Sequence, residues 1–121
     1  MNTGKTLVLG ASEKTDRYSN KAIRMLRAHQ IEVEAIGNKA GNVLDIDYGT
    51  SQVPFENIET VTLYLNPTNQ IPYYDYILSL NPKRIIYNPG TENETLMHLA
   101  EEKGIQNVIA CTLVLLATGQ F

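Results

Sequence analysis

A single cysteine, Cys111, stands among the 121 residues, so no intramolecular disulfide framework holds this chain together. The two histidines, His29 and His98, are too far apart in sequence to supply zinc-ligand spacing, and no structural metal is expected. Long apolar runs are missing too: Thr6 to Leu9 and Leu113 to Ala117 fall far short of a bilayer span. The first residues show no signal-peptide h-region, so a cytoplasmic protein without a membrane partner is expected. Basic residues are in deficit, ten Lys and Arg against thirteen Asp and Glu, for a net charge of -3. That balance argues against a nucleic-acid partner, and any phosphate the protein binds must be met by a local feature. No repeat, low-complexity stretch or linker composition divides the chain.

What is present is an ordinary globular composition, 43% hydrophobic and 19% charged. A chain of this length buries about 65% of the surface its unfolded form exposes, which suffices for one self-standing domain over residues 1–121.

The run Lys5 to Gly10 is short, apolar and closed by glycine, as a strand buried on both faces would be. Ser19 reads as the N-cap of a helix reaching about Gln30, with Ala22, Met25, Leu26 and His29 on one face. Ile31 to Gly37 is a second strand, completing a βαβ unit. From 38 to 59 no period is sustained; a short strand or turn is expected near Val43 to Tyr48 and a helical turn near Phe55 to Ile58. Thr60 to Leu65 is a third strand, Asn69 to Leu80 a helix, and Arg84 to Tyr87 a fourth strand. Thr91 and Glu94 form a capping box for a helix that ends at Lys103 and the C′ residue Gly104. Asn107 to Ala110 is a fifth strand, and Thr112 to about Thr118 an apolar last helix. The expectation is an α/β, Rossmann-like three-layer sandwich, with a mostly parallel five-stranded sheet and helices on both faces. In such a sheet a ligand sits beyond the carboxyl ends of the strands, where strand order reverses.

The loop after the first strand, from Gly10 to Ser19, leads into a helix start, where free N–H groups and the helix dipole favour an anion. Between Glu13 and His29 five basic residues (Lys14, Arg17, Lys21, Arg24, Arg27) face two acids, net +3 in a chain of net -3. The Ser19 helix has no acid in its first turn, whereas the Thr91 helix carries Glu92 and Glu94 near its start. The basic face reads equally as plain solvated surface. Ser12 and the lack of a third glycine depart from the G-x-G-x-x-G dinucleotide fingerprint. Lys39, where an NAD site would place an acid, favours a phosphorylated ribose, as in NADP or coenzyme A; alone it would read as an exposed loop lysine. Gly4-Lys5-Thr6 imitates the end of a Walker A motif but precedes the strand and lacks the upstream glycine. A receiver domain would need acids after the first strand and an Asp ending the third, where Gly10-Ala11-Ser12 and Asn66-Pro67 stand instead. No nucleophile elbow, strand-end histidine or paired carboxylates appear, and no enzyme is expected. The remaining strand-end loops, Leu65 to Gln70, Asn88 to Gly90 and Cys111-Thr112, are uncharged and rich in hydrogen-bonding groups, which suits a long neutral ligand arm. Cys111 reads also as a small buried hydrophobe.

Together Val8-Leu9-Gly10-Ala11-Ser12, Arg17-Tyr18-Ser19, Gly37-Asn38-Lys39, Leu65-Asn66-Pro67, Asn88-Pro89-Gly90 and Cys111 resemble the small stand-alone CoA-binding-domain proteins. These are related to the N-terminal domain of the succinyl-CoA synthetase alpha subunit, and the likeness runs from about Lys5 to Thr118. It implies that Gly10, Ala11, Ser12, Arg17, Tyr18 and Ser19 hold the phosphates of coenzyme A, with Gly37, Asn38 and Lys39 at the adenosine end. It places Asn66, Pro67 and Gln70 along the stretch from nucleotide to pantetheine, and Asn88, Pro89, Gly90 and Cys111 towards the thiol. Relatives carry Asn-Pro-Lys and Cys-Pro where this chain has Gly-Asn-Lys and Cys-Thr.

The expected function is binding of coenzyme A or an acyl-CoA by a non-catalytic module, because the synthetases need a second domain with a phosphorylated histidine that 121 residues cannot hold. The alternatives are an NADP-dependent oxidoreductase or redox-sensing domain, and an interaction module with a vestigial pocket. The apolar last helix and the Tyr73 to Tyr76 segment suit a homodimer contact or packing onto the sheet equally well.

Overall fold

The structure, a computed structural model, describes residues 4–121; of the single domain expected over 1–121, residues 1–3 lie outside the described residues. In chain order it comprises β1 (Lys5–Ala11), α1 (Tyr18–Ala28), β2 (Val33–Gly37), β3 (Gly41–Val43), β4 (Ile46–Tyr48) and β5 (Ile58–Leu63). There follow α2 (Pro67–Gln70), a 3-10 turn at Ile71–Tyr73, α3 (Tyr74–Ser79), β6 (Arg84–Tyr87), α4 (Glu94–Glu102), β7 (Gln106–Ile109) and α5 (Thr112–Ala117). Five strands form one parallel sheet in the order β2-β1-β5-β6-β7, while β3 and β4 pair as an antiparallel hairpin.

Strand side chains alternate between faces, and both faces here are covered, so β1 is apolar throughout its centre. Leu7 and Leu9 join Ile77 of α3 and Leu96 of α4 on one face; Val8 joins Ile23 and Leu26 of α1 and Leu116 of α5 on the other. Each fully buried Leu or Ile contributes roughly 1.5–3 kcal/mol, which makes this central strand the axis of the fold. The chain is therefore α/β and Rossmann-like, as expected, with helices on both faces of the sheet. No helix among the described residues is long and apolar enough to cross a membrane.

Several local expectations are corrected. Arg17, not Ser19, is the N-cap of α1; Ser19 lies inside the first turn and is buried. Asn93, not Thr91, caps α4 by accepting from the Leu96 amide at 3.2 Å, because Thr91 turns its hydroxyl to the Asn88 carbonyl. The helical turn near 55–58 does not form: Ile58 already opens β5, and Asn57 adopts a positive φ of 61°. The helix expected over 69–80 is broken into α2, a 3-10 turn and α3, as Pro72 offers no N–H to a continuous ladder. The third sheet strand begins and ends two residues earlier than expected, at Leu63, which frees Tyr64 and Leu65 for the loop. The patch near Val43 to Tyr48 is the β3–β4 hairpin, whose Val43, Ile46 and Tyr48 are buried against α1 and β2.

Candidate functional site

The order β2-β1-β5 reverses direction at β1, so the topological switch point lies between the carboxyl ends of β1 and β5. Gly10 makes the opening. Its φ of +107° is closed to side-chain-bearing residues, and a Cβ there would lie 3.1 Å from the Tyr64 backbone. The β1–β2 register skips at this glycine, from Leu9↔Ile36 to Ala11↔Gly37, and the chain turns away from β5. A cavity of about 870 Å³ occupies the resulting crevice.

The cavity floor is the β1–α1 loop. Asn20, 1% exposed on α1, donates its side-chain amide to the Ser12 carbonyl at 2.9 Å and accepts from Arg24 Nε at 2.8 Å. Ser12 Oγ in turn accepts the Lys14 amide, and the Lys14 carbonyl accepts the Arg17 amide. This chain of bonds delivers Gly10, Ala11, Ser12, Arg17, Tyr18 and Ser19 to the cavity wall. The first turn of α1 carries no acid and no side-chain cap, so its amides face the cavity without an internal anion.

The second wall is the end of β2 and the segment into the hairpin, with Gly37, Asn38, Lys39 and Ala40. Gly37 is required by packing, since a Cβ would sit 2.7 Å from the Ala11 carbonyl oxygen and 2.8 Å from the Tyr48 ring. Glu13 fastens this wall to the floor: its carboxylate accepts the Asn42 amide at 2.9 Å and its side chain covers Gly41. Burial, and secondarily the Glu13 charge, push the Tyr48 phenol above its ordinary value. On the third side stand Tyr64, Leu65, Asn69, Tyr73, Pro89 and Thr91.

Tyr64 is unusual. Its hydroxyl is buried with no hydrogen-bond partner, and burial pushes its pKa up to about 12. The Thr62 and Thr112 hydroxyls nearby soften that shift, but they are engaged with each other at 2.8 Å.

The positive charge at the cavity is narrower than the five-residue cluster in the sequence. Arg27, at the far end of α1, forms a two-pronged pair with Asp45, and each group holds the other further into its charged form. Arg24 turns to Asn20, and Lys21 lies over the Tyr18 ring at 5.3 Å. Lys14, Arg17 and Lys39 line the cavity and enter none of the salt bridges seen among the described residues.

Of the strand-end loops expected along the neutral arm, Leu65, Asn69 and Pro89 reach the cavity wall, whereas Asn66, Pro67, Gln70, Asn88, Gly90 and Cys111 do not line it. Asn66 caps α2 by accepting the Asn69 amide, with Pro67 at the first position of that helix. Gln70, fully buried, donates to the carbonyls of Leu65 and Thr91 at 2.8 Å each and accepts from Asn93 at 3.0 Å. Asn88, also buried, donates to Thr62 and to the Leu63 carbonyl and accepts the Thr112 amide. These two amides pin the strand-end loops to one another. Gly90 holds a φ of +90° beside Pro89, and Cys111 is the half-buried N-cap residue of α5 outside the cavity. The sequence does not mark Asn20, Tyr48, Tyr64 or Tyr73 as site residues; none lies in a recognisable ligand motif, and Tyr73 reads only as part of a segment suited to a dimer contact or to packing onto the sheet. No group of three or more His, Cys, Asp or Glu that could hold a metal ion occurs among the described residues.

A protein-family model described as a CoA binding domain matches residues 4–117. No match is found among curated proteins. Among solved structures, one described as an uncharacterized protein is 48% identical over the whole of both chains, with a TM-score of 0.96. A hypothetical protein from Pyrococcus horikoshii OT3 is 26% identical, with 91% of this chain and 79% of that one covered and a TM-score of 0.81. A protein from Thermus thermophilus shares the fold at 18% identity, a TM-score of 0.81 and coverage of 98% and 91%.

Proposed function

Because the chain belongs to the CoA-binding domain family, we propose that it binds coenzyme A or an acyl-CoA as a small, non-catalytic cytoplasmic module. The observation that carries this reading is the set of three cations, Lys14, Arg17 and Lys39, around a crevice floored by the start of α1. Elsewhere Lys5, Arg27 and Lys83 are matched with Glu34, Asp45 and Glu59. Unmatched cations beside free helix amides suit a ligand bearing several phosphates. A volume of about 870 Å³ lies in the upper part of the range for small-molecule sites and suits a ligand of nucleotide-plus-arm size.

In this reading the amides of the Gly10–Ser12 turn and of the α1 start, with Arg17, hold the pyrophosphate. Lys39 meets a phosphate on the ribose, and the Leu65, Tyr73 and Pro89 side shelters the arm. Glu13 is occupied by the Asn42 amide and serves as a rim tether, which fits a holding rather than a reacting site. The bound coenzyme would supply a thiol or thioester; the protein's own residues position it.

Calorimetric titration with coenzyme A, dephospho-CoA, NADP and NAD tests the reading. Binding of coenzyme A that weakens when the 3′-phosphate is removed is the expected result. Preference for NADP would favour an oxidoreductase or redox-sensing domain instead, and binding of none of the four would favour an interaction module.

A further inference from the structure

The two edges of the sheet are treated differently. Along β2, the Gly37 amide donates to the Gly49 carbonyl at 3.0 Å and Ile36 bridges to Gly49, so the segment after β4 covers that edge. Nothing among the described residues pairs with the outer side of β7. Proteins guard such an edge by keeping it short or with a lysine, a proline or a bulge, because its free backbone groups are a template for another strand; β7, at four residues, has only its shortness. The β7 sequence Gln106-Asn107-Val108-Ile109 has no lysine or proline, and no charged side chain occurs from Ile105 to Phe121.

The backbone pattern of the edge is defined. The Gln106 amide donates to the Lys83 carbonyl at 3.0 Å and the Ala110 amide to the Tyr87 carbonyl at 3.3 Å, so even-numbered residues turn their backbone groups towards β6. By alternation Asn107 and Ile109 present theirs outward. Two copies of this edge, antiparallel about Val108, would exchange hydrogen bonds between Asn107 of one and Ile109 of the other. The Ile109 side chain is 65% exposed, and Val114 of the following helix is 55% exposed. A two-fold interface sets each patch against itself, so any net charge in it is self-repulsive, and the uncharged run from Ile105 to Phe121 meets that condition.

We propose that β7 is the interface of a two-fold homodimer, in which the edges of two copies pair antiparallel and join two five-stranded sheets into one. The partner is a second copy of this chain, and the inference is independent of which ligand the cavity takes.

Sedimentation equilibrium of the full chain from low to high micromolar concentration tests it, with hydrogen exchange read at single amides. The expected result is a species of about 27 kDa, twice the 13.5 kDa chain, with the Asn107 and Ile109 amides protected. Ile109→Lys is expected to raise the dissociation constant at least tenfold and to expose both amides, whereas Ile71→Lys, at a 58% exposed site on another surface, leaves the dimer intact. A monomer throughout that range overturns the proposal. So does a dimer in which the two amides exchange freely, a readout on the unaltered chain that does not depend on any variant folding.

Discussion

The side-chain amide of Asn20 reaches back across the β1–α1 loop and donates to the Ser12 carbonyl at 2.9 Å. A buried helix residue thereby sets the conformation of the turn that forms the cavity floor. Asn20→Ala removes this bond and the partner of Arg24. A loss of about 1–2 kcal/mol is expected in urea unfolding, together with weaker coenzyme A binding, because the Ser12 carbonyl is released.

Arg17 and Lys39 are exposed on the cavity wall, and replacing them should leave stability nearly unchanged. In the proposed reading each makes a charge-assisted bond to phosphate. Arg17→Ala and Lys39→Ala are then expected to weaken coenzyme A by about 1–3 kcal/mol each in calorimetry. Only the Lys39 variant should lose discrimination against dephospho-CoA. Unchanged affinity in both would remove these residues from the site.

Gln70 should behave in the opposite way. Gln70→Leu strands the carbonyls of Leu65 and Thr91 and one amide hydrogen of Asn93 in the interior. The expected result is destabilisation of at least about 2 kcal/mol by chemical unfolding, with little change in the affinity of the molecules that remain folded. A large affinity loss without destabilisation would make Gln70 a ligand contact after all.

The buried Tyr64 hydroxyl has no partner to lose. Tyr64→Phe is therefore expected to be neutral or stabilising by up to about 1 kcal/mol in thermal unfolding. A clear loss would mean that the hydroxyl finds a bond in solution with Thr62 or Thr112.

Arg27 holds the Asp45 carboxyl below its ordinary value of 3.8 through their hydrogen bonds. A carboxylate whose folded value is depressed stabilises the protein above its unfolded value. That contribution is complete above about pH 5 and is lost as pH falls through the folded value. Unfolding measured from pH 6 down to pH 2 should show a shallower acid-side decline for Arg27→Met than for the parent, if Asp45 is the group responsible.

The alternation of strand and helix was legible because each signal is local: an apolar run closed by Gly10, a C′ glycine at 104, a proline after the third strand. The crevice followed from strand order, and the cavity does gather the Gly10–Ser12 turn, Arg17 to Ser19 and Gly37 to Lys39. The hairpin was harder to read because Leu44 takes a positive φ of 55° that no glycine announces. The internal bonds of Gln70 and Asn88 are not legible in the sequence, since an amide in a strand-end loop looks the same whether it meets a ligand or a neighbouring carbonyl. Only the positions of Leu65, Thr91, Leu63 and Thr112 in space separate the two. The choice between Thr91 and Asn93 as cap turned likewise on where the preceding loop sends the Thr91 hydroxyl.

The place of β1 at the centre of the sheet has a bearing on how the chain is made. Its first neighbour, β2, follows closely, but its second, β5, pairs Thr6 with Thr60 and so emerges from the ribosome much later. Until then one edge of Leu7-Val8-Leu9 is open on a nascent chain, at the stage when strand edges are most prone to wrong partners. Early packing of α1 over Val8 would shield one face during that interval, and a slowing of synthesis before residue 58 would lengthen it.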